Sequence, residues 1–178
     1  MSNNNIILFK GLKIIAWIFF IGLCIQAGGL LFSFIFSIFN PEFIKNLYEN
    51  LDLSELYSQS ESAFFGMYSF VLALAILKAY LFYFVIRLVN KFDLEKPFQH
   101  FISQQIIKIS YYTFAIGLLG YIAKRTAISL SHKGYHIENL NSFWSDSQAF
   151  ILMAAVIYII AGVISRGIEI QQENDLTI

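Results

Sequence analysis

Four long runs of apolar residues, separated by short polar segments, dominate the pattern along the chain. They cover about Ile14–Phe39, Ala63–Val89, Ile106–Ala123 and Ala149–Ser165, and the last two, being shorter, are expected to extend into the membrane interface. A helix needs about 20 residues to cross a hydrocarbon core about 30 Å thick, and it satisfies its own backbone hydrogen bonds in lipid. The pattern therefore predicts an all-α fold, a four-helix bundle in the membrane that occupies residues 1–178 as one domain.

Small and mildly polar residues recur at spacings of three and four in three of these runs. Helices in lipid associate through close packing and interhelical hydrogen bonds, so such stripes mark contact faces. We expect left-handed packing with a crossing angle of about +20°, and Phe, Leu and Ile on the faces toward lipid. The stripes are Gly22, Gln26, Gly29 and Ser33 in the first run, Ser110, Thr113, Gly117 and Gly120 in the third, and Ala154, Tyr158, Ala161 and Ser165 in the fourth.

The first connecting segment, Asn40–Ser62, has the pattern of a short helix. Asn40 is suited to cap such a helix, Pro41 to its first turn, and Glu42 to the positive end of its dipole. The apolar residues that follow fall on one helical face, namely Phe43, Ile44, Leu47 and Leu51. This pattern predicts an outer amphipathic helix that lies on the membrane surface or, as we favour, covers the mouth of the bundle.

The segment Lys124–Gln148 is polar, and we expect it to be the least regularly structured part of the chain. It brings His132 and His136 close to Glu138 in sequence. Gly134 argues against a helix that would present both rings on one face, and no cysteine or further histidine completes a metal site. The chain also lacks a phosphate-binding loop and the HExxH and GxSxG motifs. We therefore expect no enzymatic activity, no metal and no cofactor.

Composition agrees with lipid as the solvent of this fold. Apolar residues make up 57% of the chain and charged residues 13%, against about 45–50% and about 25% in soluble domains. The formal net charge is zero, which gives no electrostatic reason to expect direct binding to nucleic acid. The single cysteine, Cys24, excludes an internal disulfide.

Basic residues near the ends of the apolar runs predict the orientation, because cytoplasmic segments carry an excess of Lys and Arg. With the N-terminus inside, the cytoplasmic parts hold seven of them: Lys10, Lys13, Arg87, Lys91, Lys96, Lys108 and Arg166. The outer segments hold four: Lys45, Lys124, Arg125 and Lys133. The count predicts a multi-pass protein of the inner (plasma) membrane with both termini in the cytoplasm.

Lys78 stands deep in the second apolar run. If Arg87 marks the inner interface, nine residues at about 1.5 Å each place Lys78 about 13 Å deeper, near the midplane. A lysine there costs about 2.5–3.5 kcal/mol on insertion scales, and none of the four runs contains an acidic residue. We expect Gln26 as its hydrogen-bond acceptor, with Tyr158 or a backbone carbonyl as alternatives; otherwise the lysine extends toward the inner face.

Two segments resemble a bacterial membrane family catalogued as domain of unknown function 2975. The closing motif comprises Arg166, Gly167, Glu169, Glu173, Asp175, Leu176, Thr177 and Ile178, and the second comprises Pro97 and Phe98, running on to Lys108 and Ile109. Lys96 stands where the family usually has Asn. The resemblance implies four spans and a regulatory setting, since such proteins are often encoded beside a small helix-turn-helix regulator.

Two functional hypotheses remain open at this point. In the first, the inner loop and the C-terminal tail form one cytoplasmic surface that binds a soluble partner such as a helix-turn-helix regulator. In the second, Lys78 and Gln26 form the site of a small-molecule or ion sensor or transporter, which with four spans would need to form a homo-oligomer. The same cytoplasmic motifs could also serve only to dock the tail on the loop. The bilayer is the expected partner in every case.

Overall fold

A computed structural model describes the backbone of residues 3–48, 51–92 and 99–175, and the side chains of residues 9–48, 51–92 and 99–174. Five α-helices lie in these ranges: α1 (Asn3–Phe39), α2 (Ser54–Gln59), α3 (Glu61–Lys91), α4 (His100–Ser131) and α5 (Ser147–Asp175). Two six-residue 3₁₀ helices, Pro41–Asn46 and Glu138–Phe143, lie in the connections. Four of these helices, all except α2, are long and apolar enough to cross a membrane, which confirms the predicted fold class.

The four long helices alternate in direction. Rings of α1 and α3 pair in reverse order, Phe19 with Phe82 and Phe34 with Phe65. The pairs α3–α4 and α4–α5 are antiparallel in the same way, and each long helix packs mainly on its neighbours in sequence. Both described ends of the chain, the start of α1 and the end of α5, therefore lie at one end of the bundle, which we call the terminal end.

The α4–α5 contact is built from the predicted small residues. Ser110, Thr113, Gly117 and Gly120 of α4 are all buried. The Ser110 hydroxyl donates a hydrogen bond of 3.0 Å to the Ala154 carbonyl of α5. Because these side chains are small, the two backbones approach closely over the length of the contact. This pair has the most extensive interface among the described helices.

The other two stripes agree with the prediction only in part. On α5, Ala154 and Ala161 are buried, but Tyr158 has 53% of its surface exposed. On α1, Ser33 is buried, whereas Gly22 is exposed. The difference has a simple cause: α1 packs mainly on α3, so most of its surface is available to lipid.

The segment between α1 and α3, which the charge count predicts to be the first outer segment, covers the bundle, as favoured, but not as one amphipathic helix. Asn40 Oδ1 accepts a hydrogen bond from the Glu42 amide at 3.1 Å, so the predicted cap is confirmed. The helix that follows is a 3₁₀ turn that ends at Asn46, and Leu47 pairs with Leu51 in a short antiparallel bridge. The chain then forms α2 over the bundle. Four of its apolar side chains are buried: Ile44, Leu47, Leu53 and Leu56.

The second outer segment is more regular than predicted. Helix α4 continues from Lys124 to Ser131 because Ala127 remains buried on the same face as Ala123. Gly134, at φ 87°, then reverses the chain in a conformation that favours glycine. Residues 135–146, which we call the returning segment, then lead to Ser147 at the start of α5. Ser147 packs against Gly120, which lies eleven residues before the end of α4 at Ser131. At 1.5 Å per residue, the segment descends about 16 Å along the bundle.

A buried tyrosine links α1 to α3 and provides a first test of this packing. Tyr68 is fully buried, and its hydroxyl donates a hydrogen bond of 3.0 Å to the Leu30 carbonyl. We expect Tyr68→Phe to lower the free energy of unfolding by about 1 kcal/mol, the usual contribution of one such bond. Denaturant unfolding in detergent measures the change. Tyr158→Phe, at an exposed position, is the control and should unfold like the native protein.

Candidate functional site

Lys78 lies near the middle of α3, 17 residues from Glu61 and 13 from Lys91. It is half-buried and lines a cavity of ≈ 10 Å³ between α3, α4 and the returning segment. A volume of this size holds about one water molecule. The apolar part of the lining comes from α3, α4, α5 and the returning segment, namely Leu74, Ile116, Phe143 and Phe150.

Asp146 brings a negative charge to this cavity. It lies directly before α5, lines the same cavity and interacts electrostatically with Lys78. Among the described residues, Lys78 and Asp146 do not form a direct ion pair. A carboxylate near Lys78 reduces the free-energy cost of a cation at membrane depth. Asp146 precedes the fourth apolar run by three residues, so the sequence pattern, which considered acidic residues only within the runs, did not predict it.

Two further polar groups of the cavity lining are buried without partners. Trp144 and Ser147 are 2% and 3% exposed, and Trp144 Nε1 and Ser147 Oγ make no hydrogen bond to the described protein atoms. Leaving such groups unpaired costs about 1–3 kcal/mol each, so sites of this kind commonly hold an ordered water. Lys78, Asp146 and these two groups thus line the same small cavity.

The structure does not bring the two expected partners to this site. Gln26 is half-buried on α1 and does not line the cavity. Tyr158 is exposed on α5, where its ring lies 6.2 Å from that of Tyr111. The groups that surround Lys78 therefore come from the returning segment and α5 rather than from α1. The cavity as it stands has room for a single water or monatomic ion.

The terminal end carries the second group of sequence-predicted residues. Helix α5 continues ten residues past Ser165 to Asp175, about 15 Å of helix. Arg166 and Glu169 form an exposed ion pair at 2.6 Å, one helical turn apart. Glu173 lies one turn further and is exposed, while Gly167 is half-buried.

One hydrogen bond at the base of this extension and one within it connect α5 to the start of α4. The Ser103 and Ser165 hydroxyl groups are 2.5 Å apart, and Gln172 Nε2 lies 3.0 Å from His100 Nε2. Ile168, between them in sequence, is 4% exposed. The end of α5 is thus held as a continuation of the α4–α5 hairpin. The side chain of Asp175 is outside the described set, as are the residues Pro97, Phe98, Leu176 and Thr177.

An open, polar pocket of ≈ 250 Å³ lies at the other end, between the two outer segments. Asn139 Nδ2 donates to the Asp52 carbonyl at 3.2 Å and joins the segments. Hydrogen bonds from Ser54, led by its backbone amide, hold the pKa of the Asp52 carboxyl below its usual value. His136 and Glu138 complete much of the lining. No group of three metal-binding side chains occurs within the described ranges.

Sequence reasoning also missed a cluster of cations and aromatic rings at the terminal end. The Arg87 guanidinium lies 5.8 Å from the Tyr83 ring centre and 5.9 Å from that of Phe101. Lys91 Nζ lies 4.6 Å from the Phe101 ring centre, and Lys108 Nζ lies 5.8 Å from that of Phe84. Tyr83, Phe84, Arg87 and Lys91 share one face of α3 because of their spacing, and this pattern of rings and cations was the signal for the cluster in the sequence.

Comparison with known proteins places the chain in a family. Neither the curated proteins nor the solved structures contain a match to this chain. A family model described as a protein of unknown function, DUF2975, matches residues 44–178. The match includes α2 to α5, most of the first outer segment and all of the second, and it covers well over half of the chain. The chain therefore has four helices with the length and composition of membrane spans, and the extent of this match shows that it belongs to the DUF2975 family.

Proposed function

We propose that this protein is a non-catalytic interaction protein of the inner membrane, which presents the end of its α4–α5 hairpin to a soluble cytoplasmic partner. One observation carries the proposal: α5 extends ten residues beyond its apolar run, and the extension contacts α4 through Ser165 at its base and Gln172 near its end. A helix that only crossed the membrane would need no such support. A fixed polar extension is suited to present side chains in a constant arrangement.

The contacts of the extension favour a rigid surface over a flexible tail. Burial of Ile168 and the two hydrogen bonds to α4 restrict the helix on one side. The opposite side is exposed, with Arg166, Glu169 and Ile170 at the surface. Because the helix is already ordered, a partner would not need to supply the ordering free energy that a disordered tail requires.

Charge favours a basic partner. The closing motif contains three carboxylates, Glu169, Glu173 and Asp175, against one cation, Arg166. DNA-binding regulators carry a basic surface, which an acidic helix complements. A helix-turn-helix regulator held in this way at the membrane would have part of its DNA-binding charge occupied. The proposal therefore gives the protein a regulatory role without direct contact to nucleic acid.

Truncation after Gln171 tests the proposal because it removes the final acidic part of the motif and retains the apolar runs. We expect the truncated protein to retain less than a tenth of the regulator that co-purifies with the full-length protein from native membranes. Glu169→Gln together with Glu173→Gln should give an intermediate loss, since two charges are removed without shortening the helix.

The matched control is Glu138→Gln, which removes a carboxylate at the opposite end of the bundle. It should leave capture of the regulator unchanged. Thermal unfolding in detergent verifies that all variants are folded. Capture by the truncated protein that equals capture by the full-length chain would rule out a binding role for the tail.

A further inference from the structure

A basic and aromatic surface at the terminal end is built from α3 and α4. Arg87 and Lys91 of α3 both lie within 6 Å of the centre of the Phe101 ring. Lys108 of α4 lies beside Phe84, whose ring stacks on that of Tyr112 at 5.0 Å. The positions 80, 83, 84, 87 and 91 recur at three and four residues, so they share one face of α3.

The aromatic rings hold these cations without neutralising them. Among the described residues, none of Arg87, Lys91 and Lys108 has a carboxylate in ion-pair contact. A cation over a ring face keeps its N–H donors available, because the ring attracts the charge but accepts few of the hydrogen bonds. Arg87 and Lys91 thus share the Phe101 ring, and Lys108 lies beside Phe84, one turn from Arg87 on the same face of α3. Within the described part of the chain these cations are free of ion pairs, a combination suited to a phosphate group.

An apolar groove begins at the same tyrosine that contacts Arg87. The groove has a volume of ≈ 380 Å³ and lies between α1 and α3. Phe20, Cys24 and Ala27 line it on α1, facing Ile76, Ala79 and Tyr83 on α3. From Tyr83 to Ile76 the groove runs about 10 Å toward the centre of the bundle.

From this continuity we infer that Arg87, Lys91 and Lys108 bind the phosphate of an anionic phospholipid, with one acyl chain in the groove. The leaflet is the one at the terminal end, which the distribution of basic residues predicts to be cytoplasmic. Basic groups between membrane helices at this depth suit acidic lipid headgroups. The groove distinguishes a lipid from free phosphate, because inorganic phosphate has no apolar part to occupy it.

Lipid titration of the full-length protein tests the site. The protein, purified in neutral detergent, is titrated with phosphatidylglycerol, phosphatidylcholine or inorganic phosphate, and bound lipid is counted by native mass spectrometry. We expect phosphatidylglycerol to bind and phosphatidylcholine and inorganic phosphate to bind much more weakly. Arg87→Gln and Lys91→Gln should each weaken phosphatidylglycerol binding about fivefold, the contribution of one basic residue near an anionic surface.

Arg125 provides a matched control at the opposite end. Its guanidinium also lies over a tyrosine ring, 5.4 Å from the centre of Tyr121. Arg125→Gln removes the same type of group and should leave lipid binding unchanged. If it weakens binding as much as Arg87→Gln, the effect is one of overall charge and the proposed site is wrong.

Ala79→Leu separates the two sources of phosphate by filling the groove. It should weaken phosphatidylglycerol binding while all three cations remain. Binding of inorganic phosphate as tight as that of the lipid, with no effect of Ala79→Leu, would show a free-anion site instead.

If Arg87→Gln fails to fold, the exposed Lys91 provides the charge test, because its side chain contributes little to packing. Unchanged binding in Lys91→Gln and Ala79→Leu would then overturn the inference.

Discussion

Gly117→Ala is expected to lower the free energy of unfolding by about 1–3 kcal/mol, the usual cost of overpacking a close contact. A Cβ atom at this position would lie 2.7 Å from Ile151 Cγ1, 2.8 Å from the Ile151 amide nitrogen and 2.9 Å from the Ser147 carbonyl oxygen. Two of these neighbours are backbone atoms, so the clash is relieved only if α4 and α5 move apart. Gly117→Leu should prevent folding of the hairpin altogether.

Gly162→Ala is the matched control on the partner helix. No atom outside its own helix backbone lies within 4 Å of a Cβ built at Gly162. Alanine is also the better helix former, by about 1 kcal/mol. We expect this variant to unfold at the same denaturant concentration as the native protein or at a slightly higher one. Equal destabilisation by the two substitutions would contradict the close contact at Gly117.

Asp146→Asn is expected to destabilise the bundle by about 0.2–1 kcal/mol, because the exposed Asp146 carboxylate attracts the half-buried Lys78 without direct ion-pair contact. The same substitution in a Lys78→Leu background should have little effect, since no cation then needs the carboxylate. The difference between these two effects is the interaction energy of the pair. Thermal or denaturant unfolding of the four proteins in detergent measures it.

Asp52→Asn is the control for loss of a carboxylate in an outer segment, and it should not depend on whether Lys78 is present. Additive effects of Asp146→Asn and Lys78→Leu would show that the two residues do not interact. The exchange variant Lys78→Asp with Asp146→Lys provides a stricter test. It should recover part of the stability lost in the single variants, because the pair of opposite charges is retained.

The same cycle separates a structural role of Lys78 from a functional one. Lys78→Leu removes the cost of inserting a cation but also removes the electrostatic interaction with Asp146. If the pair only stabilises the bundle, partner capture and lipid binding should follow the stability of each variant. A variant of native stability that has lost an activity would instead assign Lys78 to a functional site.

The outer segments show which structural features a local sequence pattern can predict and which it cannot. The Asn40 cap was predictable because its hydrogen bond involves an amide only two residues away. The path of the chain after Asn46 was not, because it depends on burial of Leu47 and Leu53 against the bundle. The end of α4 at Ser131 was missed for a related reason: buried Ala127 supports the helix beyond the charges at positions 124 and 125.

The partner of Lys78 shows the same limit at longer range. The hydropathy pattern indicated a cation, Lys78, within a membrane span, and therefore the need for a negative charge or a hydrogen-bond acceptor close to it. It could not identify Asp146, which is 68 residues away in sequence and reaches the cavity only through the reversal at Gly134. Gln26 was a reasonable candidate on composition, but α1 faces Ile76, Ala79 and Tyr83 of α3, and no residue of α1 lines the cavity at Lys78.

The sequence by itself determined the number of long helices, the cap at Asn40 and the small-residue face of α4, because each follows from solvent preference or from contacts within a few residues. The tertiary structure alone decided which charge meets Lys78, how the outer segments return to the bundle, and which rings surround Arg87. Those arrangements depend on contacts between residues distant in sequence. Their free energies come from packing across helices, which a linear pattern of polar and apolar residues does not encode.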